Sequence, residues 1–145
     1  MHELVWEVGQ VIRRCIAAAG THTEYREPLI GLARADDARF RELRAKVSPV
    51  HLMPEDLVPN ARTIVSFFLP FAHWVVEANA RERETVAREW AVAYVETNAL
   101  IGRISAELEE LLAERGIKAG TVPATHNFDE ETLHAGWSHK SVAVM

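Results

Sequence analysis

Thr63-Ile64-Val65-Ser66-Phe67-Phe68-Leu69, closed by Pro70, is the stretch on which the fold turns. Three β-branched residues and two aromatics favour a pleated strand. Pro70 lacks the N–H that a longer ladder would need. Because the run is apolar at nearly every position, it is expected to lie centrally in its sheet with both faces covered.

On its N-terminal side, Pro49, Pro54 and Pro59 predict turns over 49–62, with one short helix starting at Pro54. Before them, Asp36 is the expected cap of a helix that buries Phe40, Leu43 and Val47 and stops ahead of Pro49. Leu29-Ile30-Gly31-Leu32-Ala33 reads as a short buried strand, and Thr21 to Pro28 as a polar loop. Leu4, Val8, Val11, Cys15, Ile16 and Ala19 recur three or four residues apart, which predicts a helix over 3–19 that stops at Gly20.

On the C-terminal side the longest helical pattern runs from about Glu84 to Arg115. Its stripe is Val86, Trp90, Ala93, Thr97, Ile101, Ile104, Leu108 and Leu111, and Gly116 with Ile117 fits a glycine-ended cap. A strand over roughly 118–126 and a short helix from Asp129 are expected next. Ser138 to Met145 reads as the start of a further element, so the chain is expected to be part of a longer one. Together these elements predict a mixed α/β (α+β) fold over 1–145, a small central sheet packed by amphipathic helices in one domain.

Composition narrows the chemistry. The chain has 21 acids against 16 bases, a formal net charge of −5. Its one basic concentration, Arg34, Arg39, Arg41, Arg44 and Lys46, reads as a solvated helix face. Phosphate-backbone affinity rests on excess positive charge, so no nucleic-acid partner is expected. No apolar run reaches the roughly 18 residues that a membrane span requires. The start, His2-Glu3-Leu4-Val5-Trp6-Glu7, lacks the basic region of a secretory signal, and a cytoplasmic location is expected. Cys15 is the single cysteine. It excludes an intrachain disulfide, and a cluster ligated by about four thiolates from one chain. Its neighbours Ile12, Ile16 and Ala19 predict a buried thiol that acts as a small hydrophobe.

Four constellations carry candidate chemistry. Thr125-His126-Asn127-Phe128-Asp129 sits at an expected strand end, where ligand sites of open sheets gather. Its His126 and Asn127 are candidate cofactor contacts, and the alternative is a turn in which Asn127 or Asp129 caps a helix. Trp137-Ser138-His139-Lys140 combines an aromatic, a titratable ring and a cation, suited to covering a planar ligand and meeting a phosphate or amide. The alternative is a packed Trp137 on an ordinary amphipathic helix. Within the long helix, Tyr94-Val95-Glu96-Thr97-Asn98 breaks an apolar neighbourhood, so Asn98 lines a pocket or makes a satisfied internal hydrogen bond. Finally, His126, His134 and His139, with Asp129 or Glu130, match no zinc spacing, and no metal site is expected. Walker, dinucleotide-fingerprint, nucleophile-elbow and Cys-x-x-Cys motifs are absent from the sequence.

The segments Pro54-Glu55-Asp56-Leu57-Val58-Pro59-Asn60-Ala61-Arg62 through Phe71 and Trp137-Ser138-His139-Lys140-Ser141-Val142-Ala143 resemble the N-terminal domain of epoxyqueuosine-reductase-like iron–sulfur proteins, in a divergent branch. The resemblance implies a nitroreductase-like α/β fold, a cysteine-rich cluster module as partner, and cobalamin held near the sheet and the long helix for reductive electron transfer. It puts His126, Asn127, Trp137, His139, Lys140 and Asn98 near that corrinoid. The chain departs from the family in two places. By counting, the family's acid position falls at about Leu133, which is not an acid, and Thr97-Asn98 occupies the place of a Tyr-His pair. The expected function is therefore a cofactor-binding (corrinoid) module of an oxidoreductase-like protein that is inactive alone. Its alternative is a non-catalytic interaction domain that docks a cluster module or forms a homo-oligomer. A flavin enzyme of the nitroreductase kind follows from fold analogy only.

Overall fold

A computed structural model describes residues 2–123, 128–132 and 134–144. The described residues are mixed α/β, with six helices and two small two-stranded sheets. They gather into two compact units, each built from two separate stretches: residues 1–29 with 68–111, and residues 30–67 with 112–145.

The first unit is mostly helical. α1 (His2–Ala17) buries Val8, Val11, Ile12 and Cys15 on one stripe and ends before Gly20, whose φ of 62° is the left-handed stop read from the sequence. Cys15 is fully buried, and burial pushes its thiol above the ordinary value, with the Glu107 carboxylate acting in the same direction. A small hydrophobe is what it is. α4 (His73–Arg81) had no counterpart among the expected elements: Ala72, at its N-cap, offers no side-chain acceptor. α5 (Arg88–Glu114), whose last three residues are assigned to the second unit, buries Ala93, Leu100, Ile104 and Leu108. Its end is a Schellman motif in which Gly116 N–H bonds the Ala113 carbonyl (2.9 Å) and Ile117 N–H the Leu112 carbonyl (2.9 Å), with Gly116 at φ 69°. Val86 is exposed ahead of the helix rather than on its stripe. The neighbouring Ala87 N–H bonds the Asn79 side chain (3.2 Å) and the helix starts after it.

The second unit is built on a strand pair. β1 (Leu29–Arg34) and β2 (Thr63–Phe68) form one sheet, and all but Leu29 and Phe68 belong to this unit. Ala35 N–H bonds the Arg62 carbonyl (3.0 Å), so the end of β1 lies beside the start of β2 and the strands run antiparallel. α2 (Ala38–Lys46) lays Phe40 and Leu43 against Met53, with Ala33, Val47, Ile64 and Val142 packed around them. α3 (Pro54–Leu57) starts at Pro54 as expected, and Asp56 accepts from Met53 N–H at 2.7 Å.

Two strand expectations are corrected. β2 is neither central nor covered on both faces, because among the described residues its sheet has two strands. β1 is likewise largely exposed rather than buried. Side chains alternate along a strand, and Ala33 and Ile64 point to the core. Ile30 and Leu32 of β1, with Val65 and Phe67 of β2, therefore share the outer face. Leu32 is 48% and Val65 39% exposed, while Ile30 and Phe67 are half-buried.

Two further corrections concern aspartates. Asp37, not Asp36, caps α2, accepting from Arg39 N–H at 3.0 Å. Asp36 is held instead by the Arg34 guanidinium (2.6 and 2.8 Å). Asp129 starts no helix. It ends β3 (Phe128–Asp129), which pairs antiparallel with β4 (His134–Ala135), and its carboxylate accepts from Glu131 and Thr132 N–H (2.9 and 3.0 Å) to close the turn. Residues 118–123 are not a strand, and the rest of that expected strand, 124–126, lies outside the described residues. α6 (His139–Val144) is the element foreseen after Ser138.

The α2 cap gives a pH prediction. Hydrogen bonds from the Arg39 side chain and backbone hold the Asp37 carboxyl at about 2. A depressed carboxyl stabilises fully above its unfolded value of about 3.9, and that contribution is lost as pH falls through about 2. Asp37→Asn keeps a good cap acceptor without the charge. Urea unfolding at stepped pH should show wild type and this variant converging between about pH 4 and pH 2. A constant difference across that window would remove the Arg39–Asp37 interaction as its cause.

Candidate functional site

His51 organises the polar centre of the second unit. It stands in the Pro49–Pro54 stretch and is fully buried. Ser138 N–H donates to its Nε2 at 3.3 Å, which leaves Nδ1 as the protonated nitrogen, donating to the Leu52 carbonyl at 2.8 Å. Trp137 stacks on the imidazole with ring centroids 4.5 Å apart and planes 22° from parallel. His139 meets the indole edge-on at 5.4 Å and 79°, and its Nε2 lies 2.8 Å from the Pro123 carbonyl, to which it donates. Ser138 Oγ accepts from Ser141 N–H at 3.1 Å and so closes the start of α6.

The loop that presents His51 is itself tethered. Arg44 on α2 donates from Nε to the His51 carbonyl (3.1 Å) and from its terminal nitrogen to Asp56 (2.9 Å). Asp56 also takes the Met53 N–H. One guanidinium thus fixes both arms of the loop, and the loop fixes the ring on which Trp137 lies.

The candidate ligand contacts separate. Trp137 and His139 come together, and Lys140 follows on the same turn, exposed to solvent. Asn98 is half-buried on α5 and belongs to the other unit. His126 and Asn127 lie outside the described residues, as does the side chain of His134. Among the described residues no group of three or more His, Cys, Asp or Glu is placed to hold a metal. A cavity of about 220 Å³ lies beside the start of α2, lined by Ala35, Asp36, Asp37, Arg41, Met53 and Glu55, together with Ala61. That is below the roughly 300–1,000 Å³ of small-molecule pockets.

The polar break in α5 has a structural use. Glu96 accepts from His22 N–H (2.9 Å), Thr23 N–H (2.8 Å) and the Thr23 hydroxyl (2.5 Å). Thr97 bonds the Tyr25 hydroxyl at 2.9 Å. These bonds pin the 21–25 loop to the helix. The Thr23 hydroxyl, then the two backbone donors, hold the Glu96 carboxyl below its usual range, and burial pushes the Tyr25 phenol up. Beyond that loop, Tyr25 pairs with Phe71 as an antiparallel bridge, and Phe71 meets Trp90 edge-on at 5.3 Å.

His51 is the site residue that sequence reasoning missed. No periodicity marks it, and its partner Ser138 lies 87 residues away. Its position between two prolines was the one available signal, since such a stretch forms turns whose buried backbone needs partners. No helix among the described residues is long and apolar enough to cross a membrane. No protein-family model, no curated protein and no solved structure matches the chain.

Proposed function

We propose that this chain is a non-catalytic docking domain that receives a second protein module on its outer sheet face. The observation that carries the reading is the open apolar face made by Ile30, Leu32, Val65 and Phe67. Apolar area of this kind is covered in most monomeric proteins and marks an interaction site when it is not. The strand edges favour the same use, because an unpaired edge can accept another chain. On the resemblance drawn from 54–71 and 137–143, the incoming module is an iron–sulfur cluster domain and this fold is nitroreductase-like.

Calorimetric titration with a small ferredoxin-type protein carrying [4Fe–4S] clusters tests it. Saturable micromolar binding is expected for the wild-type chain. It should weaken at least about tenfold, about 1.4 kcal/mol, in a Leu32→Asp, Val65→Asp variant whose circular dichroism is unchanged. No binding by wild type, or equal binding by the variant, would refute docking at this face.

A second reading, a corrinoid-holding redox module, is favoured by one observation: Trp137, His139 and Lys140 form an aromatic corner with an adjacent cation. Trp137 and His139 would border the macrocycle and Lys140 would meet a phosphate or amide. When bound, the cobalt would carry the electrons. The indole already stacks on His51, so one of its faces is engaged within the fold. The docking reading therefore stands first. Titration with cob(II)alamin, with Trp137→Ala as control, separates the two, because only the corrinoid reading expects saturable absorbance changes that this variant loses.

A further inference from the structure

The face of α5 opposite its buried stripe is unusual for a helix turned to solvent. Ala91, Val95, Ala99, Gly102 and Ala106 recur four, four, three and four residues apart, so they form one line along the helix. All five are exposed, and Val95 is 68% exposed, with Tyr94 beside it at 58%. The line is about 22 Å long at 1.5 Å per residue, and no charged side chain belongs to it. A Cβ added at Gly102 would meet nothing within 4 Å, so the space above the helix there is open. Solvated helix faces carry charge, and apolar faces need cover.

Charge appears at the two ends of this line, with opposite sign. Arg88 closes the N-terminal end and Glu110 the C-terminal end, on the same side of the helix, and each is eleven residues from Ala99. We infer that a second copy of the chain covers this face, with the two α5 helices antiparallel about a twofold axis at Ala99. In that arrangement Arg88 of each copy meets Glu110 of the other, the apolar lines oppose each other, and the helix dipoles run in opposite directions. A parallel pair would bring Arg88 against Arg88. Small residues at Ala99 and Gly102 let the two backbones approach to the short end of the 8–10 Å range of helix packing. One helix pair is small against the roughly 1,200 Å² of a standard interface, so the association is weak and concentration-dependent. This inference uses a different surface from the docking face on β1 and β2 and does not depend on it.

Sedimentation equilibrium over about 5 µM to 1 mM should show the mass of the full chain rising from one copy towards two. Arg88→Glu or Glu110→Arg alone should weaken dimerisation about three- to tenfold, and the double charge swap should restore it, since it rebuilds both pairs. Ala99→Cys, on the axis, should cross-link two copies under mild oxidation, whereas Ala106→Cys, away from the axis, should not. The native Cys15 is buried and does not compete. A chain that stays monomeric at every concentration overturns the pairing and leaves the sheet-face reading intact. So does a dimer that ignores the charge swap or cross-links equally at both positions. A dimer lost in Leu32→Asp, Val65→Asp but indifferent to Arg88→Glu would move self-association to the sheet and overturn the α5 pairing.

Discussion

Phe40→Ala is expected to remove about 3–5 kcal/mol of stability, the usual range for a large aromatic truncated in a core. Phe40 is 2% exposed and is the largest of the fully buried side chains of the second unit, touching a cluster that spans α2, the strand pair and α6. The loss is comparable with the whole stability of a modest domain, about 5 kcal/mol at the low end. α2 has nine residues, too few to persist unaided, and Phe40 with Leu43 is its buried contribution. Hydrogen exchange should therefore show 30–67 and 134–144 losing protection first. Ala33 and Ile64 rest on the same cluster, so the outer sheet face should lose its shape. Phe40→Leu, closer in volume, should cost about 1.5 kcal/mol or less. Equal effects of the two variants would mean that the cluster can collapse around the smaller side chain, and that the sheet does not depend on it.

What the sequence discloses follows the range of the interactions. The stop of α5 is legible because the Schellman bonds join residues within one turn, and Gly116 names the position that needs a positive φ. The buried stripe of α5 is legible in part: Ala93, Ile104 and Leu108 are buried as expected, Trp90, Thr97, Ile101 and Leu111 are half-buried, and the buried Leu100 was not on the expected line. At Asp36 and Asp37 the cap was legible only to within one residue, because both are good acceptors and Arg34 decides between them by claiming Asp36. β2 shows a different limit. Its apolar run fixes its conformation but cannot report how many layers the chain supplies. The Glu96 clamp was half visible, since polar residues inside a helix announce a need for partners but not which ones. The partners, His22 and Thr23, lie more than seventy residues away. For His51 the flanking prolines were the only signal, because its partner Ser138 lies 87 residues away.

Replacing His51 by Ala is the second large effect expected, about 2–4 kcal/mol, and its pattern matters more than its size. The substitution removes two hydrogen bonds and the stack on Trp137 and leaves the Ser138 N–H and the Leu52 carbonyl to find new partners. His51→Phe keeps a ring under the indole and loses both hydrogen bonds, whereas His51→Asn keeps a donor near Leu52 and loses the stack. If the hydrogen bonds dominate, the Phe variant should be the weaker of the two; if the stack dominates, the Asn variant should be. A double-mutant cycle with Trp137→Ala isolates the ring–ring contribution, expected at about 0.5–1.5 kcal/mol. The consequence for the site is local. Trp137 and Ser138 are the points at which residues 137–144 are held to the His51 loop, so His51→Ala should release α6 and expose the bond after Lys140 to trypsin while α1 and α5 keep their exchange protection. Cutting after Lys140 at the wild-type rate would show that α6 is held by its contact with α2 instead. Rapid cutting would make His51 the residue that keeps Trp137, His139 and Lys140 in one place, whichever partner they meet.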